Sequence, residues 1–298
     1  MHLFLRSAGF SQYKKQTDIE ELLTMLQNQY MDTARSCINE YGEECLEIRA
    51  EVAENIGITI FGVRDSSGEF HRQYYAPYAA SQDVTTLLPV MVDRHVDDRS
   101  LKASVEDGRI GVSLIFSLDN TLDYLALRAA GKVTADKPIE KAASKLAAFS
   151  TDGKILLPSL QESGVPTPAL INGRPREALI SAAKNGDQLA MEELAMNDMN
   201  LMQEMDERLR HEDMYSIVDQ CVMPQGIECD IYLVLGRILH VDIKKNNLTG
   251  EEIYDLTIMA DETTFHVAIN AADLMGEPVE GRRFKGMVWM MGRVDFLG

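Results

Sequence analysis

Cationic and aromatic side chains alternate near the end of the chain, a combination that can bind phosphate and stack a base. Arg282, Arg283 and Lys285 surround Phe284, and Trp289, the only tryptophan, follows. Oligonucleotide-binding barrels use such residues to hold a phosphate backbone and to stack bases. We therefore take Arg282, Arg283, Lys285 and Trp289 as candidate ligand-binding residues. The competing interpretation is structural, because a tryptophan in an apolar strand is more often part of a core.

Histidines could supply a metal site in the same part of the chain. His240 and His266 fall in predicted strands and could face each other, with Cys229 or Asp242 as a third ligand. A strand histidine that simply has a hydrogen-bond partner is the commoner case. The sequence therefore predicts no metal and no cofactor.

A second polar group precedes a predicted strand. Asp93, Asp97 and Asp98, together with His95, could attract a divalent cation. Asp97 and Asp98 are adjacent, and neighbouring side chains in a strand point in opposite directions. A polar loop is the better interpretation.

Motifs for well-known chemistry are missing from the sequence. There is no G-x-x-x-x-G-K-[ST] phosphate loop, no G-x-G-x-x-G, no G-x-S-x-G and no H-E-x-x-H. The zinc deaminase signature, H-x-E followed by C-x-x-C, is also missing. We name no catalytic residue, and the sequence favours a protein that is not an enzyme.

The charge balance restricts the partners. The chain has 47 acidic and 29 basic residues, a net charge of -18, and the acidic excess is spread along the chain rather than confined to a tail. Nucleic acids and anionic lipids both attract proteins through basic residues. Nucleic acid and membrane are therefore disfavoured as partners, and another protein or a second copy of the chain is favoured.

Four cysteines bear on the compartment. Cys37 and Cys45, and likewise Cys221 and Cys229, are separated by seven residues, which is not a metal or redox spacing. The first residues contain too short an apolar run for an export signal. We expect reduced thiols in a cytoplasmic protein.

Periodicity in residues 1–130 predicts an α+β domain with an antiparallel sheet. A capping box at Thr17-Asp18-Ile19-Glu20 predicts a helix. Alternation from Cys45 predicts a strand, and two hairpins follow, one around the turn Asp65 to Glu69 and one around Glu106 to Arg109. Hairpins without intervening helices indicate antiparallel pairing. The helix from Thr17 and the segment Thr121 to Ala130 would cover this sheet.

Residues 131–223 are predicted to be a connector and helical segment. Apolar spacing and Pro138 predict a helix from Pro138 to Phe149, and the prolines and glycines of Ser150 to Gly173 predict an irregular connector. Three helices should follow, over Pro175 to Asn185, Asp187 to Met196 and Asp198 to Arg210.

Residues 224–298 are predicted to form a small β-barrel domain that resembles an OB-fold. Apolar runs from Ile231 to Ile243 and from Val288 to Val294 flank a polar turn at Asn246 to Gly250. Gly276, Gly281, Gly286 and Gly292 recur at short intervals, and glycines in strands mark the sharp bends that small barrels need.

Three stretches resemble an uncharacterised clostridial protein family, the domain of unknown function 3881. They are Met1-His2 with Leu5-Arg6 and Gly9-Phe10-Ser11, then Met223 to Tyr232, and finally Ile269-Asn270 with Asp273 to Pro278 and Gly281 to Gly286. The resemblance covers nearly the whole length. It implies a cytosolic bacterial protein and brings no activity or site residue with it.

Three hypotheses about function remain open. The first is a non-catalytic cytoplasmic protein that acts through protein–protein contacts, since every recognisable reactive group is missing. The second is binding of a small ligand or of single-stranded nucleic acid by the C-terminal barrel. The third is an enzyme with an unrecognised site in a cleft between the sheet and the barrel, because clefts between domains often hold ligands.

Overall fold

The protein is a mixed α+β structure, in which an antiparallel four-stranded sheet accompanies a large mixed sheet. The computed structural model describes residues 3–94, 100–107, 112–135, 137–156, 170–184, 186–209, 218–226 and 229–296. The strands are β1 Arg35–Ile38, β2 Glu44–Ala53, β3 Ile56–Arg64, β4 Phe70–Ala79, β5 Val90–Arg94, β6 Leu101–Asp107, β7 Val112–Leu118, β8 Ala142–Leu156, β9 Leu170–Ile171, β10 Arg174–Pro175, β11 Cys221–Pro224, β12 Ile231–Lys245, β13 Glu252–Ala260, β14 Thr263–Asn270, β15 Leu274–Met275 and β16 Arg283–Phe296. The α-helices are α1 Gln16–Tyr30, α2 Thr121–Ala129, α3 Arg176–Lys184 and α4 Gln188–Leu209.

The smaller sheet has the strand order β1-β2-β3-β4 and confirms the predicted antiparallel arrangement. The hairpin between β3 and β4 turns where the sequence predicted. The Asp65 amide donates to the Glu69 carbonyl at 3.0 Å, and the Asp65 carboxylate accepts from the Ser67 and Glu69 amides. This is an Asx-type turn, in which a short polar side chain takes the place of a backbone partner.

Helix α1 buries one side against this sheet, as the spacing predicted. Ile19, Leu22, Leu23 and Leu26 are buried in the same cluster as β2 and β3 side chains. The predicted capping box is wrong. The helix begins at Gln16, no side chain caps it, and the Thr17 hydroxyl donates instead to the Asp18 carboxylate at 3.1 Å.

The larger sheet runs in the order β11-β12-β13-β14-β8-β16-β7-β6-β5, with β15 beside β8. The predicted second hairpin is present as the β6–β7 pair, although residues 108–111 of its turn lie outside the described part of the chain. The segment Thr121 to Ala130, predicted only to cover the N-terminal sheet, forms helix α2 over Thr121–Ala129.

The helix predicted from Pro138 to Phe149 is wrong, because Ala142 to Phe149 lie in strand β8, which continues to Leu156 through the first part of the predicted connector. Its small residues, such as Ala142, Ala147 and Ala148, fit a strand that is enclosed on both edges. β8 pairs antiparallel with β16 from Ala142 to Leu156 and in parallel with β14 from Ala147 to Ser150. Two neighbouring strands, both from more than a hundred residues later in the chain, override the local helical spacing.

Strands β12 and β16 pair with each other as well as with other strands. β12 pairs with β13 on one edge and with β16 on the other, so that Trp289 lies opposite Ile231.

Gly153 of β8 lies opposite Gly286 of β16, and a β-carbon built on either glycine would come 2.7 Å from the Phe284 ring. The two strands therefore approach the aromatic ring as closely as only glycine permits.

Two large clusters of buried side chains form most of the core, and a small third cluster of Cys45, Phe61 and Leu122 lies between the smaller sheet and α2. One lies among the strands of the larger sheet and includes Phe116, Tyr232, Phe265 and Phe284. The other joins helix α1 and strands β2 and β3 to the opposite face of β8 and β16, through Phe149, Trp289 and Met291. The smaller sheet therefore packs on the larger one, and its face toward α2 carries several polar side chains.

The chain divides into two units by its internal contacts. One comprises Met1–Leu157 with Cys221–Gly298, and the other comprises Pro158–Gln220. The second contains the β9–β10 hairpin and helices α3 and α4, with Ile171, Leu179 and Ala190 buried.

The Asp187 carboxylate caps α4, as predicted, by accepting from the Leu189 amide at 3.0 Å. The predicted break at Asp198 is wrong, because α4 continues to Leu209. The division into three domains at residues 130 and 223 stays a prediction.

Candidate functional site: a cavity between the two sheets

The four residues selected from the sequence lie on or just before strand β16. Trp289 is only 7% exposed, and its ring stacks between Phe4 and Phe149 at centroid distances of 5.6 and 6.2 Å. Arg283 is buried, and Lys285 and Arg282 are half-buried. Arg282 donates to the Glu277 carbonyl at 2.9 Å. The structure does not bring the four together on one exposed surface, and a role in ligand binding stays a prediction.

The indole of Trp289 takes part in a polar cluster that the sequence did not indicate. Its nitrogen donates to Oδ2 of Asp230 at 2.6 Å, and the Ser117 hydroxyl donates to the same oxygen at 2.8 Å. The Lys102 ammonium forms an ion pair with this carboxylate and donates to the Ser117 oxygen at 2.8 Å. The end of the β11–β12 connection is thus fixed to β6, β7 and β16.

A cavity of about 100 Å³ borders this cluster. It is smaller than the pockets that hold drug-sized ligands and has room for several waters or about five heavy atoms. Thr59, Tyr74, Tyr75, Ala76 and Pro77 line it from the smaller sheet, and Ser100, Lys102, Ser117, Leu118, Asp119, Trp289 and Met291 line it from the larger one. It lies between the smaller sheet and the larger sheet.

The Thr59 hydroxyl distinguishes this cavity from a simple packing defect. Thr59 is 5% exposed, and its Oγ1 has no hydrogen-bond partner among the described residues. Leaving such a group unpaired costs about 1–3 kcal/mol, so buried hydroxyls nearly always have a partner. A molecule in the cavity would supply one.

Asp119 brings a second ion pair to the wall. Its Oδ2 accepts from both terminal nitrogens of Arg49, at 3.0 and 3.1 Å, and the Arg49 guanidinium lies 3.9 Å above the ring of Tyr78. Burial raises the pKa of the Tyr78 hydroxyl to about 12. Arg49 and Thr59 are directly opposite each other on β2 and β3. Arg49 therefore connects the polar face of the smaller sheet to Asp119, which lines the cavity.

The Lys102 and Ser117 side chains are as close as a lysine base and a serine nucleophile, but both also contact Asp230. The Ser117 hydroxyl donates to Asp230, whereas a serine nucleophile would donate to its base. In this arrangement the three side chains join β6, β7 and the start of β12.

The sequence profile of a family described as "Domain of unknown function, E. rectale Gene description" (DUF3881) matches residues 5–292. The chain belongs to this family. No curated protein and no solved structure matches the chain. The DUF3881 match includes every residue that lines the cavity, and it confirms the family that the sequence resembled.

Histidines in this DUF3881 chain take separate carboxylate partners. His240 lies 2.9 Å from Glu280, and His266 lies 3.1 Å from Asp255 and 3.3 Å from Asp83. Their strands flank β13, so both histidines lie beside Thr257 without sharing a ligand. The structure therefore does not bring them together as a metal site.

One group of three possible metal ligands occurs among the described residues, at Asp65, Glu69 and His71. All three are exposed, and the Asp65 carboxylate already accepts from the turn amides and lies 2.8 Å from the His71 ring. The group therefore stabilises the hairpin. Asp97, Asp98 and His95 of the polar segment lie outside the described residues, and Asp93 lies within β5. No described helix is long and apolar enough to cross a membrane.

Proposed function

We propose that this protein binds a small, uncharged, polar molecule in the cavity between its two sheets and does not convert it chemically. The observation that carries the proposal is Thr59, a residue of the cavity wall whose buried hydroxyl has no hydrogen-bond partner in the described part of the chain. A ligand with both a donor and an acceptor would satisfy it. The small volume limits that ligand to about five heavy atoms.

The charges around the cavity support an uncharged ligand. Lys102 is neutralised by Asp230, and Asp119 is neutralised by Arg49. Each pair cancels within the protein, so neither an anion nor a cation gains an uncompensated partner. Apolar surface from Leu118, Met291 and Trp289 completes the wall. This is the usual composition of a ligand site, apolar with a few placed polar groups.

We further infer that β12, β13, β14, β8 and β16 form a small barrel that resembles an OB-fold. The pairings of these strands support this, because each is paired with the next and β16 pairs back to β12. Only the β14–β8 pair is parallel. The predicted barrel then includes β8, which the sequence had assigned to the connector. Such a barrel would be the rigid support for Trp289.

Trp289 provides the measurement, because it is the only tryptophan and lines the cavity. We expect acetamide, which has four heavy atoms, to change its fluorescence and to give saturation-transfer signals in NMR. Thr59→Val keeps the shape and removes the hydroxyl, and should weaken binding about 2- to 10-fold, the value of one neutral hydrogen bond. Thr59→Ser keeps the hydroxyl and is the matched control. Equal binding by both variants, or no response to acetamide at any soluble concentration, would overturn the proposal.

A further inference from the structure

Glu47 is a buried carboxyl group that the proposed binding site does not use. It is 1% exposed on the face of β2 that packs toward helix α2. One oxygen, Oε1, lies 3.5 Å from the Arg35 guanidinium, and the other, Oε2, has no hydrogen-bond partner among the described residues. A carboxylate held in this way would be poorly compensated. The geometry fits the neutral acid better than the anion.

We infer that ionisation of Glu47 switches the cavity from uncharged ligands to small organic cations, by drawing Arg49 away from Asp119. This inference rests on the proposed ligand-binding function. Arg49 is the shared element, since its guanidinium interacts electrostatically with both carboxylates. Asp119 is the only one of the two acids that lines the cavity.

Charged and titratable groups face Glu47 from each element packed against it. Arg35 and Cys37 come from β1, Arg49 comes from its own strand, and Asp119 and Asp123 come from α2 and the turn before it. Asp123 is itself held by Arg35 and by Arg293 of β16. Burial raises the pKa of Glu47 to about 7; Arg49 and Arg35 oppose this rise, and Asp119 and Asp123 add to it. The group therefore changes charge close to neutral pH.

The two protonation states place Arg49 differently. With Glu47 neutral, Arg49 donates both hydrogen bonds to Asp119 and cancels its charge, which is the observed arrangement. With Glu47 ionised, Arg35 lies 3.5 Å from Oε1 only, and the Glu47 and Asp119 carboxylates both attract Arg49, because opposite charges attract strongly where water is excluded. The cavity wall then carries a partly uncompensated Asp119.

A cation is the ligand that gains from this change. The ionised state adds one negative charge to the cluster, and the Asp119 carboxylate can accept hydrogen bonds from an ammonium or amidinium group. Anions should be disfavoured in both states.

Three planar probes of the same size separate charge from shape: acetamide is neutral, acetamidinium is a cation and acetate is an anion. We expect the ratio of acetamidinium to acetamide affinity, measured by NMR and Trp289 fluorescence, to rise about fivefold or more between about pH 6 and about pH 8. Glu47→Gln should hold the ratio at its low-pH value. Glu54→Gln removes an exposed carboxylate of the β2–β3 turn and should keep the wild-type dependence.

Calorimetry gives a second readout. Linkage requires that a ligand preferring ionised Glu47 release protons when it binds near neutral pH, and the release should disappear in Glu47→Gln. A constant ratio in the wild type, or a pH dependence that survives in Glu47→Gln, would overturn the inference while acetamide binding still stood. Failure of all probes at every pH would instead overturn the proposed function. The affinity ratio and the proton release of the wild-type protein test the inference even if a variant does not fold.

Discussion

The carboxylate of Asp230 lies 2.6 Å from the indole nitrogen of Trp289 and so ties the start of β12 to the middle of β16. The tryptophan that suggested base stacking from the sequence is a fixed part of a cavity wall, and its role in ligand binding stays a prediction. Its nitrogen is bonded and its ring is stacked between Phe4 and Phe149. Buried indole groups usually have such a partner.

Asp230→Asn should lower the free energy of unfolding by about 1.5–3 kcal/mol, the usual range for hydrogen bonds to a charged group. The amide keeps an acceptor for Trp289 and Ser117 but removes the carboxylate charge that pairs with the Lys102 ammonium. Urea unfolding followed by circular dichroism measures the change. Asp242→Asn, whose side chain is 54% exposed, is the control and should stay within about 0.5 kcal/mol. If both variants lost the same free energy of unfolding, Asp230 would contribute no more to stability than an exposed aspartate.

Gly153→Ala and Gly286→Ala should each destabilise the protein by about 1–3 kcal/mol through overpacking. An added methyl group would lie 2.7 Å from the Phe284 ring at both positions, and at Gly286 also 2.7 Å from the Asp152 carbonyl oxygen. At Gly226 the nearest atom would be 3.4 Å away, so Gly226→Ala is the matched control. Thermal unfolding compares the three. A tolerated Gly286→Ala would mean that β8 and β16 can move apart.

His266 should stabilise the fold more in acid than in base. Hydrogen bonds to Asp255 raise its pKa, burial opposes this rise, and Asp83 adds to it. A histidine whose folded pKa lies above its unfolded pKa contributes most below the unfolded pKa, and the contribution disappears as the pH rises through the folded pKa. The advantage of wild type over His266→Asn in urea unfolding should therefore be larger at about pH 5.5 than at about pH 8.5.

His71 supplies the control for that measurement. The hydrogen bond to Asp65 raises its pKa too, yet the pair is exposed and solvent screens it. His71→Asn should show a much weaker pH dependence than His266→Asn. If the wild type exceeded His266→Asn by the same free energy of unfolding at both pH values, a stabilising charge on His266 would be excluded.

Single-stranded DNA should not bind, even at low salt. Arg283 and Trp289 are buried, and the chain carries a net charge of -18. Fluorescence anisotropy of a labelled oligonucleotide tests this, together with the variant Arg282→Ala/Lys285→Ala as a control. Binding that weakens with added salt and is reduced in that variant would restore the basic cluster as a nucleic-acid site.

Local signals were sufficient for the hairpins and for most of the helices. The turn at Asp65 to Glu69 could be predicted because Asp, Ser and Gly satisfy or tolerate the turn backbone within a few residues. The same holds for the turn after β12, where the Asn246 side chain accepts from the Leu248 and Thr249 amides at 2.9 and 3.1 Å. In both cases the deciding contacts lie inside the predicted segment.

The strand β8 and the cavity could not be predicted, because their determinants are distant in the sequence. Ala142 to Phe149 contains small residues that suit a helix or an enclosed strand, and pairing with β14 and β16 decides between them. Lys102, Ser117 and Asp230 meet only after three strands have been placed. A single polar Asp230 before an apolar run gave no indication of a cluster. The hypothesis of protein–protein contacts stays a prediction.

The pairing of β8 with β14 and β16 has a consequence for how the chain reaches its native state. During synthesis, β8 emerges more than a hundred residues before either partner, and Trp289 comes still later than β14. Contacts between such distant segments slow folding, and unpaired strand edges invite association with other chains. Both β14 and β16 must therefore be synthesised before β8 is enclosed. Until then the edges of this strand are open to association with other chains.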